Sequence, residues 1–189
     1  VVDLRTAEEV ELRGRFPVDV HPVVLHHVSV LDVTWDRDNP GHDNAVGHLV
    51  WSYREMLTQR PERFAHAIEL LGAPEALPAV FHCAAGKDRT GITAMLVLGA
   101  LGVPHDLIAA DYGLTSEGMA RTLAWAERES PETFARVTSA PAMYYACIPE
   151  AMTQVMGGLV AEHGSIRDYL LHIGVQPATL ARLEAELLE

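Results

Sequence analysis

Ten consecutive residues carry the side chains that could do chemistry: His82-Cys83-Ala84-Ala85-Gly86-Lys87-Asp88-Arg89-Thr90-Gly91. The thiolate, not the thiol, is the nucleophile; a free thiol has a pKa of about 8.5, and a helix N-terminus or a nearby cation favours the charged form. Cys83 stands ahead of both, with Arg89 six residues on and an apolar run behind it. The Arg89 guanidinium offers a planar fork that matches two oxygens of a phosphate. Ala84, Ala85 and Gly86 are small enough for backbone N–H groups to turn inward as an anion cradle. Thr90 can donate its hydroxyl to the sulfur, His82 can fix the loop backbone through its ring nitrogens, and Gly86 and Gly91 permit conformations and close approaches that a Cβ would obstruct. Together these parts suit a covalent cysteinyl-phosphate that is formed and then hydrolysed.

Lys87 is the single lysine among 14 lysines and arginines. A composition this averse to lysine still places one in the loop, which points to an ammonium aimed at substrate phosphate. Two rival loops fail on spacing. A nucleotide-binding loop needs Gly-x4-Gly-Lys-Ser/Thr, whereas Asp88 follows Lys87 and Phe81 stands where the first glycine should be. A sulfur-transfer loop could also follow a strand with a cysteine, but Arg89-Thr90 at this offset favours phosphate.

The positioning elements follow from pattern. Leu77 to Phe81 reads as a buried strand ahead of the loop, and Ile92 to Leu101 as a buried helix behind it. Val1 to Leu4 reads as the end of a parallel strand, and Thr6-x-x-Glu9 as a capping box that starts a short helix ending near Gly14. Asp3 and Arg5 then lie at the strand's C-terminal end, where open α/β sheets place their ligands. A loop-anchoring bond between them is the leading role for Asp3, with direct catalysis behind it. Val23-Val24-Leu25 and Val28 to Leu31 are the expected strand pieces of the next segment. Asp36 to His48 reads as a loop, and its length suits a lid. His21, His26, His27, His42 and His48 cluster in sequence without ligand spacing or a cysteine nearby, so no metal is expected. Helices are expected over Ala45–Leu57, Pro61–Leu71, Asp106–Asp111, Thr115–Glu129 with Trp125 packed inside, Pro131–Val137, Pro149–His163, a short one capped by Ser165, and a last one opened by Gln176-Pro177. The fold class is α/β: a small, mostly parallel central sheet flanked by many helices, with a helical C-terminal half.

The 189 residues, 49% of them hydrophobic, suit a single domain over 1–189. A net charge of −12 argues against nucleic acid or an anionic membrane as partner. The longest apolar run is too short and glycine-interrupted to span a bilayer. Cys83 and Cys147 make no disulfide framework; Cys147 reads as a structural thiol. No signal peptide is visible.

The loop resembles the signature of cysteine-dependent tyrosine phosphatases, and its Gly86 to Thr90 variant is similar to the atypical bacterial tyrosine/dual-specificity branch, which includes secreted mycobacterial members. Val2 to Thr6 with Glu9, Asp111-Tyr112 with Thr115-Ser116, Gly164 to Leu170, and Leu183 to Leu188 resemble further segments of that branch. The resemblance implies a cysteine-phosphatase-like fold, with a phosphorylated protein as substrate and inorganic phosphate as product; a phosphoinositide, which needs extra cationic partners, is the alternative that Lys87 suits, and no cofactor is expected. The branch carries an upstream Asn-Phe-Arg-Asp-Leu-Gly-Gly-like motif that these residues lack, so a missing N-terminal segment is expected, and both cytoplasmic and secreted locations stay open. Its mycobacterial members have a long lid insertion, for which Val33 to Arg63 is the room here.

A general acid must protonate the leaving oxygen. Asp88 is the first candidate, because the resemblance implies a special role for it; Asp3 is second, and Asp36, Asp38 or Asp43 third. Against Asp88, the flanking Lys87 and Arg89 charges should keep it ionised, which suits orienting Lys87 or the hydrolytic water instead.

Overall fold

The computed structural model describes residues 1–32, 44–139 and 144–188. Strand β1 (Val2–Asp3) is central in a three-stranded sheet of order β2-β1-β3, flanked by β2 (His26–His27) and β3 (Phe81–His82), all parallel. The register sets Asp3 between His27 and His82. The Leu4 amide donates to the His82 carbonyl at 2.8 Å, so the pairing continues to the residue before Cys83.

The strands are shorter than the apolar runs predict. Only Phe81 and His82 of the Leu77-to-Phe81 region and its continuation form ladder, and Val80 is 62% exposed rather than buried. In the preceding segment the two predicted valine-rich pieces bracket the actual strand at His26–His27. Val28, Val30 and Leu31, expected as strand, are buried but reach the core from irregular chain, while Val24 is exposed. An apolar run marks burial in either state, so periodicity alone does not separate the two.

Helix α1 (Ala7–Arg13) starts at the predicted capping box: the Thr6 hydroxyl accepts from the Glu9 amide and the Glu9 carboxylate accepts from the Thr6 amide. After it come α2 (Ala45–Gln59), α3 (Pro61–Leu71), α4 (Asp88–Ala100), α5 (His105–Gly113), α6 (Thr115–Glu129), α7 (Pro131–Thr138), α8 (Pro149–His163), α9 (Ile166–His172) and α10 (Pro177–Leu187). Pro61, Pro131, Pro149 and Pro177 each open a helix, where a missing N–H costs nothing.

Helix α4 forms the centre of the packing. Ile92, Met95 and Leu96 are fully buried, and the helix lies against α3, α5 and α9, while α8 packs on α2, α5 and α9. Close approach is bought with glycine: a Cβ on Gly99 would clash with Ile166 of α9, reaching 2.9 Å from Cγ2 and 3.0 Å from Cβ, and one on Gly91 would lie 3.0 Å from the Tyr112 ring of α5. Trp125, predicted inside, is 51% exposed. Helix α6 contacts mainly α7 and α5, and Ala126 is its buried residue, so the indole has no interior to enter. Among the described residues no helix is long and apolar enough to cross a membrane.

Gly99→Ala should destabilise the fold by about 1–3 kcal/mol through overpacking. Ile166→Val, which removes the Cδ1 methyl, should recover part of that loss in the double variant. Urea unfolding of the four proteins tests this, and strictly additive effects would contradict the contact.

Candidate active site

Residues 83–88 link the end of β3 to the first turn of α4, so the loop occupies the C-terminal edge of the sheet at a helix N-terminus. Gly86 sits at φ +69°, a left-handed conformation that a side chain would strain. No described group accepts from the amides of Ala84 to Thr90. The Gly91 amide makes the first helical bond, to the Lys87 carbonyl at 2.8 Å. Free amides, a helix terminus and a guanidinium around one thiol form an anion site.

Cys83 is 8% exposed, at the floor of this loop. The His82 ring turns onto the backbone of the loop, its Nδ1 lying 3.2 Å from the Cys83 carbonyl. Its Nε2 is 3.9 Å from Asp3 Oδ1.

Arg89 is 7% exposed and is held by a residue that the loop's sequence does not reveal. Its Nη1 and Nη2 donate to the two oxygens of Glu9 at 2.5 and 2.8 Å. Burial opposes the Arg89 charge, yet Glu9, with Cys83 and Asp88 nearby, outweighs it and raises the guanidinium above its ordinary value. Burial likewise opposes the Glu9 carboxylate, but the Arg89 bonds and the Thr6 amide hold it below the usual carboxylate range. Glu9 thus serves two masters: it closes the capping box of α1 and aims Arg89 from the end of its fork, leaving the Nε side open. The capping-box spacing was legible, whereas the second partner lies 80 residues away and leaves no local signal.

Asp3 takes the anchoring role. Both its oxygens bond Arg5, at 2.9 and 2.7 Å, and the Arg5 amide adds a third bond. Burial would raise the Asp3 carboxyl, but these bonds and the His82 and Arg5 charges bring it below its usual value. These bonds favour the ionised carboxylate, which suits the anchoring role better than that of the acid.

Lys87 differs from its expectation. It is 2% exposed, and Nζ donates to the carbonyls of Tyr144 at 2.9 Å and Ala146 at 3.0 Å, with Asp88 Oδ1 3.1 Å away. Three N–H groups meet three protein acceptors, so the ammonium staples the loop to the segment before α8 instead of pointing at a substrate. Thr90 also differs: its hydroxyl is buried and meets no partner, so it does not reach the Cys83 sulfur. Thr90 instead lines a small cleft of about 90 Å³ between α4 and α5, with Gly86, Gly91 and Asp111.

Asp88 opens α4. Its Oδ1 accepts from the Tyr53 hydroxyl of α2 at 2.7 Å, and the Tyr53 and Tyr112 hydroxyls lie 2.6 Å apart. Tyr112 carries a sequence signal only through the Asp111-Tyr112 resemblance, and Tyr53 carries none, since it stands 35 residues from Asp88 inside an expected helix. Ala45–Gln59, within the stretch expected to hold a lid, is core helix, and Asp36, Asp38, Asp43 and His42 lie outside the described residues. Among the described residues no three His, Cys, Asp or Glu side chains converge as a metal site. Cys147 is a buried free thiol, raised by burial although the Lys87 charge opposes the rise.

The Glu9–Arg89 pair should show in the acid limb of stability. Asp3 and Glu9 have folded pKa values below their unfolded values of about 4. Their contribution is therefore complete above the unfolded pKa and is lost as pH falls through the folded value. Melting curves from pH 7 to pH 3 should fall steeply at the acid end. Glu9→Gln should lower stability at pH 7 by about 3 kcal/mol and flatten that limb, and an unchanged slope would refute the assignment.

Comparison with known proteins agrees with this geometry. Over 232 aligned residues the chain is 28% identical to a triple specificity protein phosphatase of Mycobacterium tuberculosis, covering all of this chain and 81% of that protein. It is 64% identical over 120 residues to a candidate tyrosine-protein phosphatase of Cupriavidus necator, covering 59% of this chain and 42% of the relative. A tyrosine-protein phosphatase of Nostoc commune is 35% identical over 65 residues, 34% of this chain and 22% of its own. The model of the tyrosine phosphatase family matches residues 1–189, and with a cysteine and an arginine on one loop of free amides at the head of α4, the chain belongs to that family of phosphoric monoester hydrolases.

Proposed function

We propose that the protein hydrolyses phosphotyrosine in proteins through a cysteinyl-phosphate on Cys83, releasing inorganic phosphate. The observation that carries this is the buried Arg89 fork, held end-on by Glu9 beside Cys83 and the unengaged amides. The Cys83 thiolate attacks phosphorus in line, and its bond forms as the bond to the leaving oxygen breaks. The amides of Ala84 to Asp88 and the open side of Arg89 take the equatorial oxygens, where charge grows in the transition state. Lys87 contributes through the loop geometry it fixes. Water then cleaves the sulfur–phosphorus bond.

Asp88 is the carboxylate left to handle protons among the described residues of this loop, now that Asp3 is committed to Arg5. Phosphotyrosine is favoured because a long aryl ester reaches the buried sulfur more readily than a short seryl ester. The name of the mycobacterial relative supports testing a wider specificity. The case for phosphoinositides rested on a free Lys87 ammonium, and that group is occupied.

Cys83→Ser should lower turnover of an aryl phosphate by at least roughly 10⁴-fold while phosphate binding persists. Full activity in that variant would overturn the covalent mechanism. Asp88→Asn should cost about 10²–10⁴ in rate on an ester with a poor leaving group and far less on one with a good leaving group, if Asp88 is the acid. Equal losses would assign it a positional role. A panel of phosphotyrosine, phosphothreonine and phosphoinositide substrates ranks the specificities, with phosphotyrosine expected first.

A further inference from the structure

Beneath the loop, three helices meet at one chain of hydroxyls. Tyr53 is fully buried on α2, Tyr112 is buried on α5, and Asp88 begins α4. The two rings meet edge to face, with centroids 6.1 Å apart and planes at 88°. Because Tyr53 spends its only proton on Asp88 Oδ1, the 2.6 Å contact between the hydroxyls must run from Tyr112 to Tyr53. The chain therefore has one direction, from Tyr112 through Tyr53 to Asp88. Burial first, then the Asp88 charge and Tyr112, push the Tyr53 hydroxyl well above its ordinary value, so it stays a donor. Gly91 is what lets the Tyr112 ring come this close to α4.

This arrangement commits one carboxylate oxygen and leaves the other. Oδ1 takes the Tyr53 bond and the Lys87 ammonium, while Oδ2 accepts from none of the described residues on a side chain that keeps 20% of its surface. A carboxylate oriented by two donors on one oxygen and open at the other is built to accept a proton at the open oxygen.

We propose that Tyr53 and Tyr112 are positioning residues for the second half of the reaction, holding Asp88 so that Oδ2 takes the proton of the water that hydrolyses the cysteinyl-phosphate. The proposal rests on the covalent reading of Cys83. In this step the water oxygen bonds to phosphorus as the sulfur–phosphorus bond breaks. The electron pair leaves with Cys83 as thiolate, and the water proton passes to Asp88, which later releases it to solvent.

The test is transient kinetics of Tyr53→Phe and Tyr112→Phe on p-nitrophenyl phosphate, whose leaving group needs no acid. Both changes keep the ring and delete one hydroxyl. Tyr53→Phe should lower kcat about tenfold, the scale of one lost hydrogen bond to a charged group, and Tyr112→Phe less. KM should fall in proportion, because a slowed second step traps the phosphoenzyme while kcat/KM reports only the first. A burst approaching one equivalent of p-nitrophenol per Cys83 should precede the slow phase. In an Asp88→Asn background, Tyr53→Phe should add nothing further.

A fall in kcat/KM with no burst in both variants would overturn the proposal, as would an unchanged kcat for Tyr53→Phe. If Tyr53→Phe does not fold, the Tyr112→Phe burst and KM-against-kcat split decide. Acid quenching separates this result from the reading beneath it. Phosphate covalently trapped on Cys83 without the kinetic split defeats the positioning role alone. No trapped phosphate on any variant or on the unaltered enzyme defeats the cysteine mechanism itself.

Discussion

A guanidinium that must receive a dianion has to be charged, aimed and dry before the ligand arrives, and the Glu9–Arg89 pair supplies all three conditions. A buried cation without a partner is costly, and the loss of one member of such a pair leaves the other stranded. Glu9 can hold Arg89 only because the capping box has already fixed α1, and α1 is placed by β1 and its register with β3. The first nine residues are therefore part of the site, although none of them lies in the loop. Asp3 and Arg5 extend the same logic, since their mutual bonds hold the strand end against the turn into α1.

A second layer of polar contacts fixes the other flank of the loop. Lys87 binds two carbonyls of the segment before α8, and Asp88 is met by Tyr53 of α2. Buried polar networks of this kind are worthwhile only when their members are satisfied. Here the lysine meets three acceptors and Tyr53 both donates and accepts. The loop is thus clamped from α1, α2, α5 and the chain leading to α8, while its own amides stay uncommitted. Rigidity on the outside and free donors on the inside are the conditions for binding charge without reorganisation.

What could be read from the chain divides along the line between local and distant partners. The loop, the helix behind it, the proline-opened helices and the Thr6 capping box all depend on neighbours within a few residues, and the structure has them where the residues indicated, whereas the strand ahead of the loop is confined to Phe81–His82. The Asp3–Arg5 bond is likewise two residues long and was visible as the leading role. Glu9 toward Arg89 and Tyr53 toward Asp88 join residues 80 and 35 positions apart, and nothing in their local spacing announces them. Lys87 misled for the same reason: its rarity marked it as important, but only the fold shows that its acceptors are the Tyr144 and Ala146 carbonyls. Trp125 erred through hydrophobicity, since an apolar residue is buried only where a neighbouring element covers it.

The placement of Lys87 also decides how the molecule can be handled and marked. It is the only lysine among the 189 residues, and its amine is enclosed with every proton engaged. Reagents that acylate amines, and the enzymes that attach acetyl, methyl or ubiquitin groups to lysine, have no accessible side chain here. Immobilisation or crosslinking through side-chain amines would need local unfolding of the loop itself, so any such product would carry a damaged site. Over this stretch, covalent control by lysine modification is closed off, and regulation must act through other side chains or through partners.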